Sequence, residues 1–175
     1  EIRFAPPGSE PRPAACRLFL LSGDELAGIV ASGAADKLTF VTPSLGAVDL
    51  KLDLVRALAL TSDEAELRRF RKEVLPLEPR KDVVVLRSFA RMEGVVESVQ
   101  AAGVAVDAPE VGKVTLGADR VLGVRLAELG KRRQLPSGFR ARLDLADGCL
   151  VSGKLESFKD GVFRLETAFA RALEL

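Results

Sequence analysis

Glu93 and Glu97 stand four residues apart, and two carboxylates held close together can divide the roles of proton donor and proton acceptor. Such a division needs a cleft that raises one pKa, and nothing around these residues signals one, so a solvated strand face is expected. Asp144, Asp147 and Gly148 offer oxygens and a tight reversal of the sort a calcium loop uses, yet the other ligand positions are missing. A hairpin turn accounts for Asp147-Gly148 sufficiently. The chain contains no His, Trp or Tyr, so neither a Ser-His-Asp nor a Cys-His constellation can be built, and no Ser has a recognisable activating partner. Gly148 and Gly153 miss the spacing of a dinucleotide loop and open no helical pattern. The sequence therefore assigns no catalytic, cofactor-binding or metal-ligating residue and is read as non-enzymatic.

The chain has 26 Lys and Arg against 25 Asp and Glu, a net charge of +1, so no bulk attraction to a polyanion is expected. Two local basic clusters, Arg68, Arg69, Arg71 and Lys72, then Lys131, Arg132 and Arg133, make nucleic-acid binding the alternative function. Helical pairing of Glu64 with Arg68 and of Glu73 with Arg69 would absorb much of the first cluster, and only nine Phe are available to stack on bases. A monomeric envelope adaptor is a further alternative. Cys16 and Cys149 lack the spacing of a zinc or redox motif and read as two small buried apolar residues, with a disulfide as the minority alternative. No run approaches the length of a membrane-spanning segment. The chain opens at Glu1 and its only methionine is Met92, which fits a cleaved signal peptide or a trimmed start equally.

The elements that would position these residues repeat. Sliding the sequence on itself by 66 places lays Cys16–Leu60 on Asp82–Leu126, with thirteen of forty-five pairs identical, among them Leu20 on Leu86, Gly28 on Gly94, Pro43 on Pro109, Gly46 on Gly112, Asp53 on Asp119 and Leu60 on Leu126. A shift of 125 adds a third copy, with Leu18 on Leu143, Gly28 on Gly153, Thr42 on Thr167 and Leu50 on Leu175. Within each copy apolar residues alternate, as in Leu18, Leu20, Leu26, Leu38, Phe40, Val48, Leu50 and Val55, which is the period of a strand with one buried face. Ser22-Gly23, Leu45-Gly46, Val111-Gly112, Asp147-Gly148 and Asp160-Gly161 mark the reversals. Gly28, Gly94 and Gly153, inside the second strand of each copy, allow a bulge or bend.

An apolar strand, a Gly-containing turn, then Leu26-Ala27-Gly28, Met92-Glu93-Gly94 or Val151-Ser152-Gly153, two further hairpins and a closing strand resemble the small Sm-like barrels and the tandem small-barrel repeats of secreted or envelope bacterial proteins. The resemblance implies an all-β fold of three tandem five-stranded barrels and an extracellular or envelope setting. Where RNA-binding Sm proteins carry their contact residues, this chain has Asp36-Lys37-Leu38-Thr39 and Val55-Arg56-Ala57, so nucleic-acid contacts do not carry over.

The organisation expected is an arm and Pro-rich tether over 1–15, a first repeat over 16–60, a helix and linker over 61–81, a second repeat over 82–126, a linker over 127–137 and a third repeat over 138–175. The spacing predicts the helix over Thr61–Val74, with Thr61 and Glu64 as capping box and Leu67, Phe70 and Val74 on one face. Its expected task is to cover the open end of a neighbouring barrel. Adding 125 to 53 and 60 places the closing strand of the third repeat at 178–185, beyond Leu175. An unfinished β-unit exposes backbone donors and acceptors that another segment must cover. Glu1-Ile2-Arg3-Phe4-Ala5 alternates apolar and polar and is joined by Pro6, Pro7, Pro11 and Pro13, so it reads as a strand held away from its own body. The expected function is therefore structural. Copies are expected to assemble head to tail, as ring or filament, with Ile2, Arg3 and Phe4 inserted near Phe163, Leu165, Leu173 and Leu175 of the third repeat, the alternative being an arm that folds back to close the third repeat of its own chain as a monomer.

Overall fold

The computed structural model describes residues 16–34, 36–128, 138–170 and 172–175. A first set of strands comprises β1 (Cys16–Leu20), β2 (Glu25–Ala34), β3 (Lys37–Thr42), β4 (Gly46–Lys51) and β5 (Val55–Ala59). The helix α1 (Glu64–Glu73) follows. A second set comprises β6 (Asp82–Leu86), β7 (Arg91–Gln100), β8 (Gly103–Ala108), β9 (Gly112–Gly117) and β10 (Val121–Arg125). The third contains β11 (Arg140–Asp144), β12 (Leu150–Lys159), β13 (Val162–Thr167) and β14 (Leu173–Glu174). The protein is predominantly β, as the alternation requires, and all these strands belong to one antiparallel sheet that does not close on itself. Ile2, Arg3 and Phe4 lie outside the described residues, as do Lys131, Arg132 and Arg133.

The sequence repeat is also a repeat of geometry. Every strand of the second set begins and ends 66 residues after its counterpart in the first, and β12 and β13 lie 125 residues after β2 and β3. The pairing of the long second strand with the third shifts register at the same place in all three sets, between Val30 and Ser32, between Val96 and Ser98, and between Leu155 and Ser157. The bulge therefore falls shortly after Gly28, Gly94 and Gly153, not at them. Those glycines serve a close approach instead: a side chain at Gly28 would stand 2.1 Å from the Val41 carbonyl oxygen, and one at Gly94 would stand 2.5 Å from that of Asp107.

The first two sets join through their closing strands. Ala57, Leu58 and Ala59 of β5 pair with Arg125, Val124 and Gly123 of β10, so β1, β5, β10 and β6 run on as one ribbon. One side of this ribbon carries Leu18, Leu58, Val84 and Val124 into the main core. The other side carries Phe19, Ala57, Ala59, Val83, Val85 and Leu122, and α1 lays Leu67, Phe70 and Val74 over it. The helix thus roofs a joint between two strand sets, which differs from the expected lid on one open end. Its cap also differs. Asp63 accepts hydrogen bonds from the amides of Ala65 and Glu66 at 2.9 and 2.8 Å, while Thr61, two residues earlier, hydrogen-bonds through its hydroxyl to Glu66 and the Asp63 amide. The helix starts at Glu64 because Asp63 presents a carboxylate two and three residues before unpaired amides, and a carboxylate also suits the positive end of the dipole.

Arg125 reinforces the joint from within the sheet. Its guanidinium is fully buried and donates to the carbonyls of Arg56, Leu126 and Leu77 and to Glu128, tying β5, β10 and the segment after α1 together. Phe70 fills the space between the helix and Gly123, whose absent side chain would stand 2.8 Å from the Phe70 ring. Phe70→Ala should therefore lower the unfolding free energy by about 3–5 kcal/mol in urea titrations, a loss below about 1 kcal/mol being incompatible with this packing.

Candidate strand-acceptor edge

The third set is seated on the first by polar contacts. The Asp24 carboxylate accepts from the Ser152 amide at 2.6 Å and from the Ser22 hydroxyl at 2.7 Å. Asp147 accepts from the Ser44 amide at 2.9 Å and from the Cys149 amide at 3.0 Å. The Ala27 amide donates to the Cys149 sulfur at 3.2 Å, Arg17 donates to the Gly148 carbonyl at 2.8 Å, and Leu150 of β12 bridges to Glu25 of β2. Asp147-Gly148 is a turn as expected, with Gly148 at φ +83°, and its carboxylate is spent on two backbone amides. No group of acidic, Cys or His residues among the described residues is arranged to hold a metal ion.

Among the described residues this seating leaves β11, like β4, β9 and β14, with a single strand partner. In the first set β1 is flanked by β2 and β5; in the second, β6 is flanked by β7 and β10. Their counterpart β11 pairs with β12 and, among the described residues, with no other strand. Burial follows the pairing. Leu18 and Val84 are inaccessible to solvent, whereas Leu143, at the same repeat position, is half-buried, and Arg140, Arg142 and Asp144 are exposed. Three of the six large apolar residues exposed among the described residues, Phe139, Phe158 and Val162, also belong to this set.

Of the residues expected near the receiving groove, Leu165 is fully buried and pairs with Leu173 on β14. Phe163 exchanges two backbone hydrogen bonds with Leu175, at 2.8 and 3.0 Å, and its ring lies 4.4 Å from that of Phe158. Leu173 and Leu175 pack half-buried against the main core. These four residues form the β13–β14 margin, while β11, on the other side of β12, is a second margin with no further strand partner among the described residues. The sequence reading did not single out Arg140, Arg142, Leu143 and Asp144 as an exposed line. The shift of 125 that lays Leu18 on Leu143 already contained that signal.

The other candidates disperse. Glu93 and Glu97 are exposed, and Glu97 pairs with Lys113. Arg69 pairs with Glu73 at 2.8 Å and lies over the Phe89 ring, and Arg71 reaches Glu25, so half of the first basic cluster is engaged within the molecule. Glu64 and Arg68 form no ion pair among the described residues. No helix among the described residues is long and apolar enough to cross a membrane. No protein-family model, curated protein or solved structure matches this chain.

Cys16 and Cys149 are free thiols and buried. Burial raises the pKa of both, that of Cys149 to about 12. Thiolate is the reactive form, so neither should react with iodoacetamide at neutral pH until the protein is unfolded, when both should; rapid labelling of Cys149 in the folded protein would contradict its position under Ala27.

Burial also raises the pKa of Asp24, against the opposing pull of Ser22, Ser152 and Arg142. A carboxyl whose pKa is raised by folding stabilises the native state fully below its ordinary value of about 3.9, and that contribution is lost as pH rises through the folded value. Asp24→Asn keeps an acceptor for the Ser152 amide and removes the titration. The stability of the native protein relative to this variant should therefore fall as pH rises above about 4 in denaturant titrations, and a gap that widened in favour of the native protein would reverse the assignment.

Proposed function

We propose that this protein is a non-catalytic structural subunit that joins to its own kind by strand addition. In this reading the three strand sets are small curled barrels of the Sm-like kind, the first two sealed against each other, the third completed by a strand laid along β11. The observation that carries it is the contrast between β1 and β6, each buried between two partners, and β11, half-exposed beside one. A row of unpaired amides and carbonyls beside half-buried apolar side chains is the template that strand addition uses.

The occupant we propose is the segment Glu1–Ala5 of the next copy. Its alternation suits an edge whose inner side is apolar and whose outer side is charged, and the prolines between it and β1 favour an extended tether. Contact between two different surfaces of one chain has no built-in stop, so the product is a ring or a filament. The setting carried over from the resemblance to tandem small-barrel repeats of secreted or envelope bacterial proteins is the cell exterior or envelope.

Light scattering of the chain with and without Glu1–Ala5 tests this reading. The expected result is an assembly larger than one chain that reverts to a single-chain mass on deletion. A mass unchanged by the deletion, whether assembled or monomeric, contradicts it.

A further inference from the structure

We propose that the strand added at β11 is held in one antiparallel register by a single charge pair, with Arg3 of the incoming arm opposite Asp144, Phe4 opposite Leu143, Ile2 opposite Leu145 and Ala5 opposite Arg142. The proposal rests on the reading that Glu1–Ala5 is the occupant and adds how it is recognised.

The two finished sets define the slot. In the first, Leu58 of β5 lies opposite Leu18 of β1, and both enter the main core; Ala57 lies opposite Phe19 and Ala59 opposite Arg17, on the side that α1 roofs. In the second, Val124 lies opposite Val84 in the same way. The third set puts Leu143 in the place of Leu18, and Arg142 and Asp144 in the places of Arg17 and Phe19. An occupant of β11 must therefore be apolar opposite Leu143 and polar on its outer side. Strands such as β5 and β10, apolar on both faces, would leave the outer charges facing hydrocarbon. Leu145, in the place of Leu20, is buried and sets a second apolar position, as Val55 does in the first set.

The outer charges are not equivalent. Arg142 acts electrostatically on the buried carboxylate of Asp24 and so already has an acidic neighbour. Asp144 is exposed and has no ion-pair partner among the described residues. A basic residue opposite Asp144 and a small neutral one opposite Arg142 satisfy both, and Arg3 and Ala5 stand two residues apart as that requires.

Other registers fail for stated reasons. A slip of one residue turns Arg3 toward the core and Ile2 and Phe4 toward water. A slip of two in one direction sets Arg3 against Arg142 and Glu1 against Asp144, two like-charge pairs at once. The opposite slip carries Arg3 past the end of β11 and leaves Ala5, the smallest side chain of the arm, opposite Asp144.

Charge exchange tests the register. Arg3→Asp alone and Asp144→Arg alone should each weaken assembly by roughly five- to tenfold in a concentration series followed by light scattering, since an attractive cross-strand pair becomes repulsive. The Asp144 side chain is exposed, and unchanged thermal melting of each variant verifies the fold. Arg3→Asp with Asp144→Arg should restore assembly to within about twofold of the native chain. A double variant no tighter than the singles, while deletion of Glu1–Ala5 still abolishes assembly, overturns the register and leaves the strand-addition reading in place. Assembly that is indifferent to the deletion overturns both.

Discussion

A strand in water must find partners for its backbone on both sides or present an unpaired edge, and this constraint governs how the sheet is built. The closing strands β5 and β10 solve it for each other. Their pairing removes two edges, buries Leu58 and Val124 in a shared core and creates the apolar outer face that α1 then covers. The helix and the buried guanidinium of Arg125 both serve that joint, so the first two strand sets form one structural body. The third set has the same hairpins without an equivalent closing pair among the described residues, and its β11 edge is the consequence.

Polar groups decide where the third set sits. Asp24 and Asp147 each accept two hydrogen bonds across or beside the contact with the first set, and Cys149 approaches the Ala27 amide. Carboxylates bonded to backbone amides, Asp24 buried and Asp147 half-buried, add directional specificity that apolar contact between similar repeats would not supply. The counterpart of Asp24 in the second set is Ala90, so the second set lacks that anchor and the molecule is asymmetric although its repeats are alike.

Strand identity was legible because alternation and turn glycines are local signals. Leu18, Leu20, Leu26, Leu38, Phe40, Leu50 and Val55 are all buried, and Asp160 and Gly161 both adopt positive φ in a two-residue hairpin loop. The helix cap was misplaced by two residues because Thr61 and Asp63 both precede acidic residues at usable spacing, and only the backbone path decides between them. Arg125 was not legible at all. A charge in a closing strand reads as a surface residue, and its burial depends on carbonyls of Arg56 and Leu77, which lie far away in sequence. Asp24 was hidden likewise, as an ordinary turn residue whose partner Ser152 is supplied by the third set. The third copy was visible in the shift of 125, but that β11 has a single strand partner among the described residues follows from the order of strands in the sheet.

Hydrogen exchange at the β11 amides, followed over a range of protein concentration, tests the central claim most directly, because added strands protect amides that solvent otherwise reaches. Strand addition between copies predicts that the outward-facing amides within Arg140–Asp144 become protected as concentration rises and lose that protection when Glu1–Ala5 is removed. Exchange at those amides that is independent of both concentration and the arm would contradict it.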